Sequence, residues 1–284
     1  MLSVTKFDGS REPYSREKVV TTSRRMGASG HDAEHIADEV EKRLYDGMPT
    51  QEILEVVRRC LRECRPGLNL MVDLRKAIST LRPKPDFEHF IRMLLEEYGY
   101  DVTPNQIVRG RCVEHEIDAV ARRGGDIVYV EVKHHANPHV YTGLDVVKEA
   151  RATFEDLTEG HERGENGIGF NKTLVICNTK FSDHAKRYSA CRGIDHVGWK
   201  SPANIGLEQR IEEKALYPIT MFGGLSRENE EGLGNRGIIL LKQVWLRDVK
   251  RLSRTSGVPI DSLAELTEFA VEVLGEKGGS RSVS

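Results

Sequence analysis

Asp118, Glu131 and Lys133 are the residues whose types and spacing point most directly to chemistry. Two carboxylates can hold a hard divalent cation through oxygen. Such a cation lowers the pKa of bound water and neutralises charge developing on a phosphate. A lysine beside it can orient or help deprotonate the attacking water and stabilise an anionic transition state. The stretch that carries them, residues 112–135, reads as strand, tight turn, strand. Val113, Ile117 and Val120 punctuate the first run, Arg122-Arg123-Gly124-Gly125-Asp126 supplies the turn, and Ile127 to Lys133 is β-branched and aromatic. Glycine tolerates the positive φ that a short hairpin needs. Side chains alternate along a strand, which places Glu131 and Lys133 on one face and Val128, Val130 and Val132 on the other. A Glu-x-Lys triplet alone means little, since a second stands at Glu212 and Lys214 in a charged helical stretch. Apolar flanks and the hairpin to Asp118 single out the first.

This arrangement resembles the PD-(D/E)xK nuclease superfamily and, within it, Mrr-type restriction endonuclease domains. The resemblance implies a metal site made by a helical glutamate, a strand aspartate and an E-x-K strand, which fall here on Glu88, Asp118, Glu131 and Lys133. It implies Mg2+ (or Mn2+) as the ion, Glu88, Asp118 and Glu131 as its ligands, and Lys133 positioning the water. It extends over about residues 86–215: Leu174 to Thr179 resembles the next core strand, Phe181 to Ala185 opens a helix, and Gly193 to Gly198 matches the last strand.

The first 81 residues read as a small hairpin followed by four helices. Val4 to Phe7 and Arg11 to Tyr14 flank Asp8-Gly9-Ser10, a hairpin signal. Ser15 is a good N-cap for a helix with Val19, Val20 and Met26. Ile36, Val40 and Leu44 mark a second helix from about His31, Thr50 caps a third, and Leu70, Leu74 and Ile78 mark a fourth. The string VTKFDGSREPYSREKV, followed by PTQEI at residues 49–53, resembles the ATP-cone, a nucleotide-binding regulatory domain. That resemblance implies ATP or dATP contacts at Lys6, Glu12, Lys18 and Thr50. A triphosphate calls for cationic side chains and N–H donors at a turn or helix start. Phe7 stands where the family usually has a second basic residue; Arg11 and Arg16 are the basic residues placed to compensate. No GxxxxGK[ST] loop occurs, which argues against hydrolysis by a P-loop mechanism.

The connector Arg82-Pro83-Lys84-Pro85-Asp86 reads as stiff and extended, with Asp86 capping a helix that buries Phe87, Phe90, Ile91, Leu94 and Tyr98. Gly143 to Leu157 reads as a helix presenting Lys148 and Arg151 to DNA phosphates, and His134, His135 and His139 as further phosphate contacts. Residues 159–171 read as a mobile glycine-rich loop. Alternating strands and helices predict a mixed sheet covered by helices. Beyond a turn at Gly232-Leu233-Gly234-Asn235, Ile238 to Leu252 reads as one helix. Arg247, Lys250, Arg251 and Arg254 then share a face able to neutralise phosphates. A break at residues 255–259 precedes a last helix, and the tail GEKGGSRSVS reads as disordered. The helices around the glycine turn weakly resemble a helix-hairpin-helix DNA-binding unit.

A net charge of −2, from 42 Lys and Arg against 44 Asp and Glu, excludes a wholly basic nucleic-acid coat and confines DNA affinity to local patches. No apolar run approaches the roughly 20 residues of a bilayer span, and the opening residues lack a signal-peptide pattern. Five cysteines, Cys112 and Cys177 among them in strand-like segments, indicate reduced thiols in a cytoplasm. The expected architecture is multidomain α/β: an ATP-cone-like hairpin with helices over 1–81, a restriction endonuclease-like mixed sheet flanked by helices over 82–219, and a small helical DNA-binding unit over 220–284. The expected function is a metal-dependent DNA endonuclease under nucleotide control, with possible homo-oligomers. A catalytically inert nucleotide-sensing DNA-binding regulator, and a nuclease specific for junctions or RNA, remain as alternatives.

Overall fold

In the computed structural model, which describes residues 2–26, 28, 30–64 and 70–278, the first hairpin forms where Gly9 adopts φ +79°. Strands β1 (Ser3–Thr5) and β2 (Arg11–Pro13) pair antiparallel around it. Ser15 caps helix α1 (Arg16–Arg25), its Oγ accepting from the Lys18 N–H. Helix α2 (Gly30–Glu41) follows, and then a short strand that periodicity does not reveal, β3 (Met48–Pro49), which pairs parallel to β1. Helix α3 (Thr50–Cys64) completes a core of Val4, Val19, Ile36, Val40, Met48 and Val57. Helix α4 (Leu74–Thr80) excludes Leu70, which is exposed.

The connector at 82–86 differs from the extended spacer expected: Pro83–Phe87 forms a short helical turn broken at Lys84. Lys84 is extended, at φ −121° and ψ 134°, and Asp86 does not cap the next helix. Its two oxygens accept from Arg82 Nε and a terminal nitrogen at 2.6 and 2.8 Å instead. Helix α5 (Glu88–Glu97) buries Phe90, Ile91 and Leu94. Strand β4 (Asp101–Arg109), unmarked by any apolar run, then joins β5 (Glu114–Arg123) and β6 (Asp126–Lys133) in an antiparallel meander. Strand β7 (Tyr141–Thr142) leads into α6 (Leu144–Glu162), β8 (Lys172–Cys177), β9 (Lys180–Phe181), α7 (Asp183–Arg192) and β10 (Ile194–Val197). The five-stranded sheet runs β10-β8-β6-β5-β4, with β6, β8 and β10 parallel. This is the mixed sheet expected. Parallel neighbours need a crossover, and α6 and α7 supply the two. Val120, Tyr129, Val175, Val147 and Leu157 meet in the core between sheet and helices. β4 carries Pro104 and the exposed Ile107, which suits an edge.

The loop after α6 is fastened, contrary to expectation. Residues 159–162 are helical, Asn166 donates to Arg109 O and Leu157 O at 2.7 and 3.1 Å, and Phe170 is buried. Helix α8 (Leu207–Lys214) follows. Beyond it, α9 (Arg227–Gly234) absorbs most of the expected glycine turn, which shifts to residues 235–237, where Gly237 has φ +69°. The single helix expected over 238–252 is two, α10 (Leu241–Trp245) and α11 (Val249–Ser256). Asp248 divides them, because its side chain accepts from the Arg251 N–H at 2.7 Å and starts a new helix. Helix α12 (Ile260–Gly278) runs four residues into the tail expected to be disordered; residues 279–284 lie outside the described ones.

Compact packing groups Arg75–Pro218 with Leu233–Leu240 as one unit; the residues up to Leu74, Ile219–Gly232 and those from Leu241 onward form the other. Most of α4 therefore belongs with the sheet, and the last helices cluster with the amino-terminal module rather than as a third unit. No helix among the described residues is long and apolar enough to cross a membrane.

Candidate active site and nucleotide pocket

The β5–β6 hairpin turns through Gly124 and Gly125, with Arg123 opposite Asp126 and Ala119 opposite Val130. Gly124 has φ +60°, a conformation that side chains with a Cβ adopt reluctantly. Strand alternation aims Tyr129, Glu131 and Lys133 the same way, and their contacts agree. Glu131 Oε2 accepts from the Tyr129 hydroxyl at 2.6 Å, and its Oε1 lies 2.9 Å from Lys133 Nζ. Burial, reinforced by Glu131, pushes the Tyr129 phenol far above its ordinary range, so it remains a donor. Burial pulls the Lys133 pKa down, but the hydrogen bond and charge of Glu131 outweigh it, and the net shift is upward. Lys133 is thus an ammonium at neutral pH: it can orient a water or hold an anionic oxygen, and is not a ready base.

Asp118 lies on β5 beside this pair. Its Oδ2 accepts from the Val132 N–H at 2.7 Å. Burial raises its pKa from 3.8 to about 6; the Val132 bond and Lys84 oppose the rise, and the charges of Glu131 and Glu88 add to it. Glu88, in the first turn of α5, is 4% exposed. Its Oε2 accepts from Asn105 Nδ2 at 3.2 Å, and its Oε1 lies 3.2 Å from Lys84 Nζ. Lys84 also reaches Glu116 Oε1 at 2.9 Å and Asp118 Oδ1 at 3.8 Å. No sequence motif marks Asn105, Glu116 or Tyr129 as part of this cluster. Lys84 stands four residues before Glu88, the one spacing that hinted at it.

Among the described residues, no three His, Cys, Asp or Glu side chains are close enough to hold a metal ion as they stand. The donor chemistry nevertheless fits a hard cation. Glu88 and Asp118 already share one, the Lys84 ammonium, as a stand-in, while Glu131 is turned to Tyr129 and Lys133. Oxygen donors of this kind suit Mg2+ or Mn2+.

Two of the three histidines are engaged within the fold, while His139 is exposed. The His134 ring packs against Phe87 and bonds Ile78 O at 3.2 Å, and His135 Nε2 lies 3.1 Å from Thr142 Oγ1. Lys148 is exposed on α6. Arg151 is not free: its Nε donates to Glu155 at 2.7 Å and its guanidinium lies over Phe154. Lys250, Arg251 and Arg254 are exposed on α11, but Arg247 precedes the Asp248 cap and drops out of their helical face.

In the amino-terminal module, Glu12 ties Lys6 to Lys18, its two oxygens at 2.8 and 2.9 Å from the ammonium groups. Those bonds hold the Glu12 carboxyl below its ordinary pKa. Glu12, Lys18 and Thr50 line a cavity of 230 Å³ walled by Val4, Ile53 and Val57. Phe7 is 73% exposed. Of the two arginines placed to compensate, Arg11 pairs with Asp46 at 2.8 Å, and Arg16 with Glu34, Asp38 and Glu41.

The ATP cone domain matches residues 2–67, and the catalytic Mrr restriction endonuclease domain matches residues 82–197. An uncharacterised protein of Archaeoglobus fulgidus is 38% identical over 182 residues, spanning 64% of this chain and 98% of that protein. A crystal structure of a protein of unknown function, AF1548, matches with a TM-score of 0.57 at 36% identity, covering 66% of this chain and 97% of that one.

Proposed function

The chain belongs to the Mrr-type restriction endonuclease family, with an ATP cone domain at its amino end, and on that premise we propose that it is a metal-dependent DNA endonuclease controlled by ATP or dATP. What supports the reading is the convergence of Asp118, Glu131 and Lys133 on one hairpin, with Glu88 brought alongside by α5. In the reaction, water attacks a backbone phosphorus and one P–O ester bond breaks, leaving a phosphate monoester and a hydroxyl. Glu88, Asp118 and Glu131 would hold Mg2+ or Mn2+, which supplies Lewis-acid stabilisation and a bound water of lowered pKa. Lys133, kept protonated by Glu131, donates hydrogen bonds to the attacking water and to the oxygens that gain charge. Tyr129 fixes the orientation of Glu131. In the sheet unit Lys148 offers exposed charge to phosphates, and in the other unit Lys250, Arg251 and Arg254 of α11 do so separately; such contacts carry no base information.

In the cone, Lys6 and Lys18 take the polyphosphate, Thr50 donates its hydroxyl, and the apolar wall of the 230 Å³ cavity receives the base. The test is nicking of supercoiled plasmid with Mg2+ or Mn2+, with and without ATP. Asp118→Ala and Lys133→Ala should each abolish cleavage while leaving the circular dichroism spectrum unchanged; full activity in either variant refutes the assignment. Tight binding of ATP and DNA by the unaltered protein, with no cleavage under any divalent ion, would instead identify an inert regulator.

A further inference from the structure

Lys84 has no part in that reaction, yet it sits among its carboxylates. Its ammonium lies 2.9 Å from Glu116, 3.2 Å from Glu88 and 3.8 Å from Asp118. Pro83 and Pro85 flank it and restrict the backbone that delivers it. Glu88 and Asp118 have side chains only 5% and 11% exposed, and two such carboxylates facing each other without a cation would repel in a poorly solvated place. The spacing suits an ammonium and not a metal. A magnesium ion needs oxygens at about 2.0–2.1 Å, so the carboxylates must draw in before they can ligate one. An ammonium left among them would then oppose the incoming charge at close range.

We propose that Lys84 is a tethered counter-ion of the metal carboxylates Glu88 and Asp118: steadied by Glu116 at the surface, it holds those two together in the metal-free protein and leaves them as a divalent ion enters. Lys84 thereby sets the metal concentration at which the site fills. This rests on the metal-site reading above. The displaced ammonium stays within the length of its own side chain, and so remains beside the site.

The experiment titrates Mn2+ into metal-free protein by isothermal calorimetry, with no DNA present, and records thermal melting in EDTA. Lys84→Met keeps the apolar stem and removes the charge at a side chain that is 57% exposed, so the fold is retained. It should bind Mn2+ about tenfold more tightly, equivalent to about 1.4 kcal/mol, and melt several degrees lower in EDTA. Lys84→Arg should restore wild-type behaviour in both measurements. Mn2+ affinity in Lys84→Met equal to or weaker than wild type overturns the proposal. Asp118→Asn separates the two failures: if it loses Mn2+ binding while Lys84→Met is unchanged, only the role of Lys84 falls. If Asp118→Asn binds Mn2+ as wild type does, the metal site falls and the proposal with it.

Discussion

Asp118→Asn removes a buried charge whose effect on folding follows from the structure. The Asp118 side chain is 11% exposed, and burial lifts its pKa from 3.8 to about 6. A carboxyl whose folded pKa lies above its unfolded value stabilises fully only below the unfolded value. That contribution is lost as pH rises through the folded one. With one pKa unit equal to about 1.4 kcal/mol, the loss is about 1 kcal/mol at pH 4.5 and about 3 kcal/mol by pH 8. Asparagine keeps an oxygen for the Val132 N–H and carries no charge. The variant should therefore be more stable than the wild type in EDTA, by up to about 3 kcal/mol at pH 8 and about 1 kcal/mol at pH 4.5. Urea unfolding followed by tryptophan fluorescence measures it. Trp199 is 3% exposed within the sheet unit, while Trp245 is 46% exposed in the other, so a Trp245→Phe background isolates the signal. A variant no more stable than wild type at pH 8, or a gain that fails to shrink toward pH 4.5, refutes the reasoning. A gain of the expected size would mean that this carboxylate is kept at the expense of stability, as functional groups often are.

Two further outcomes follow from other parts of the chain. Lys18→Ala should weaken ATP binding about tenfold by calorimetry, the worth of one charge-assisted bond to phosphate, and should affect adenosine much less. Asp156→Ala should destabilise the sheet unit by about 3 kcal/mol at pH 7, because Asp156 accepts from the Cys112 and Val113 N–H groups and from His115 Nε2 at 2.8, 3.3 and 2.8 Å. Burial would raise the Asp156 pKa, but those bonds hold it far below the ordinary range. The contribution is thus present above pH 3.8 and lost on acidification, so the gap between variant and wild type should close as pH falls in urea titrations.

Period-two alternation and a glycine turn were enough to read the β5–β6 hairpin and to put Glu131 and Lys133 on one face, because the facing of a strand residue is set locally by the pleat. The same local logic made the first hairpin, the Ser15 cap and the mixed sheet legible. Strand β4 was not legible, since an edge strand with a proline and polar neighbours has no apolar signature and is held by its partner. The helix break at Asp248 turned on a competition that periodicity does not register: one carboxylate captured the Arg251 N–H and took Arg247 out of the basic face. Tertiary structure alone decided the partners of each charge. Glu131 faces Tyr129 and Lys133, Asp118 takes a backbone N–H, and Glu88 and Asp118 share an ammonium from a connector that reads only as a spacer. Side-chain type and order along the chain specify which groups are available. The groups that meet are chosen by through-space distance among elements far apart in sequence, and in a buried site that choice sets both the pKa values and the chemistry.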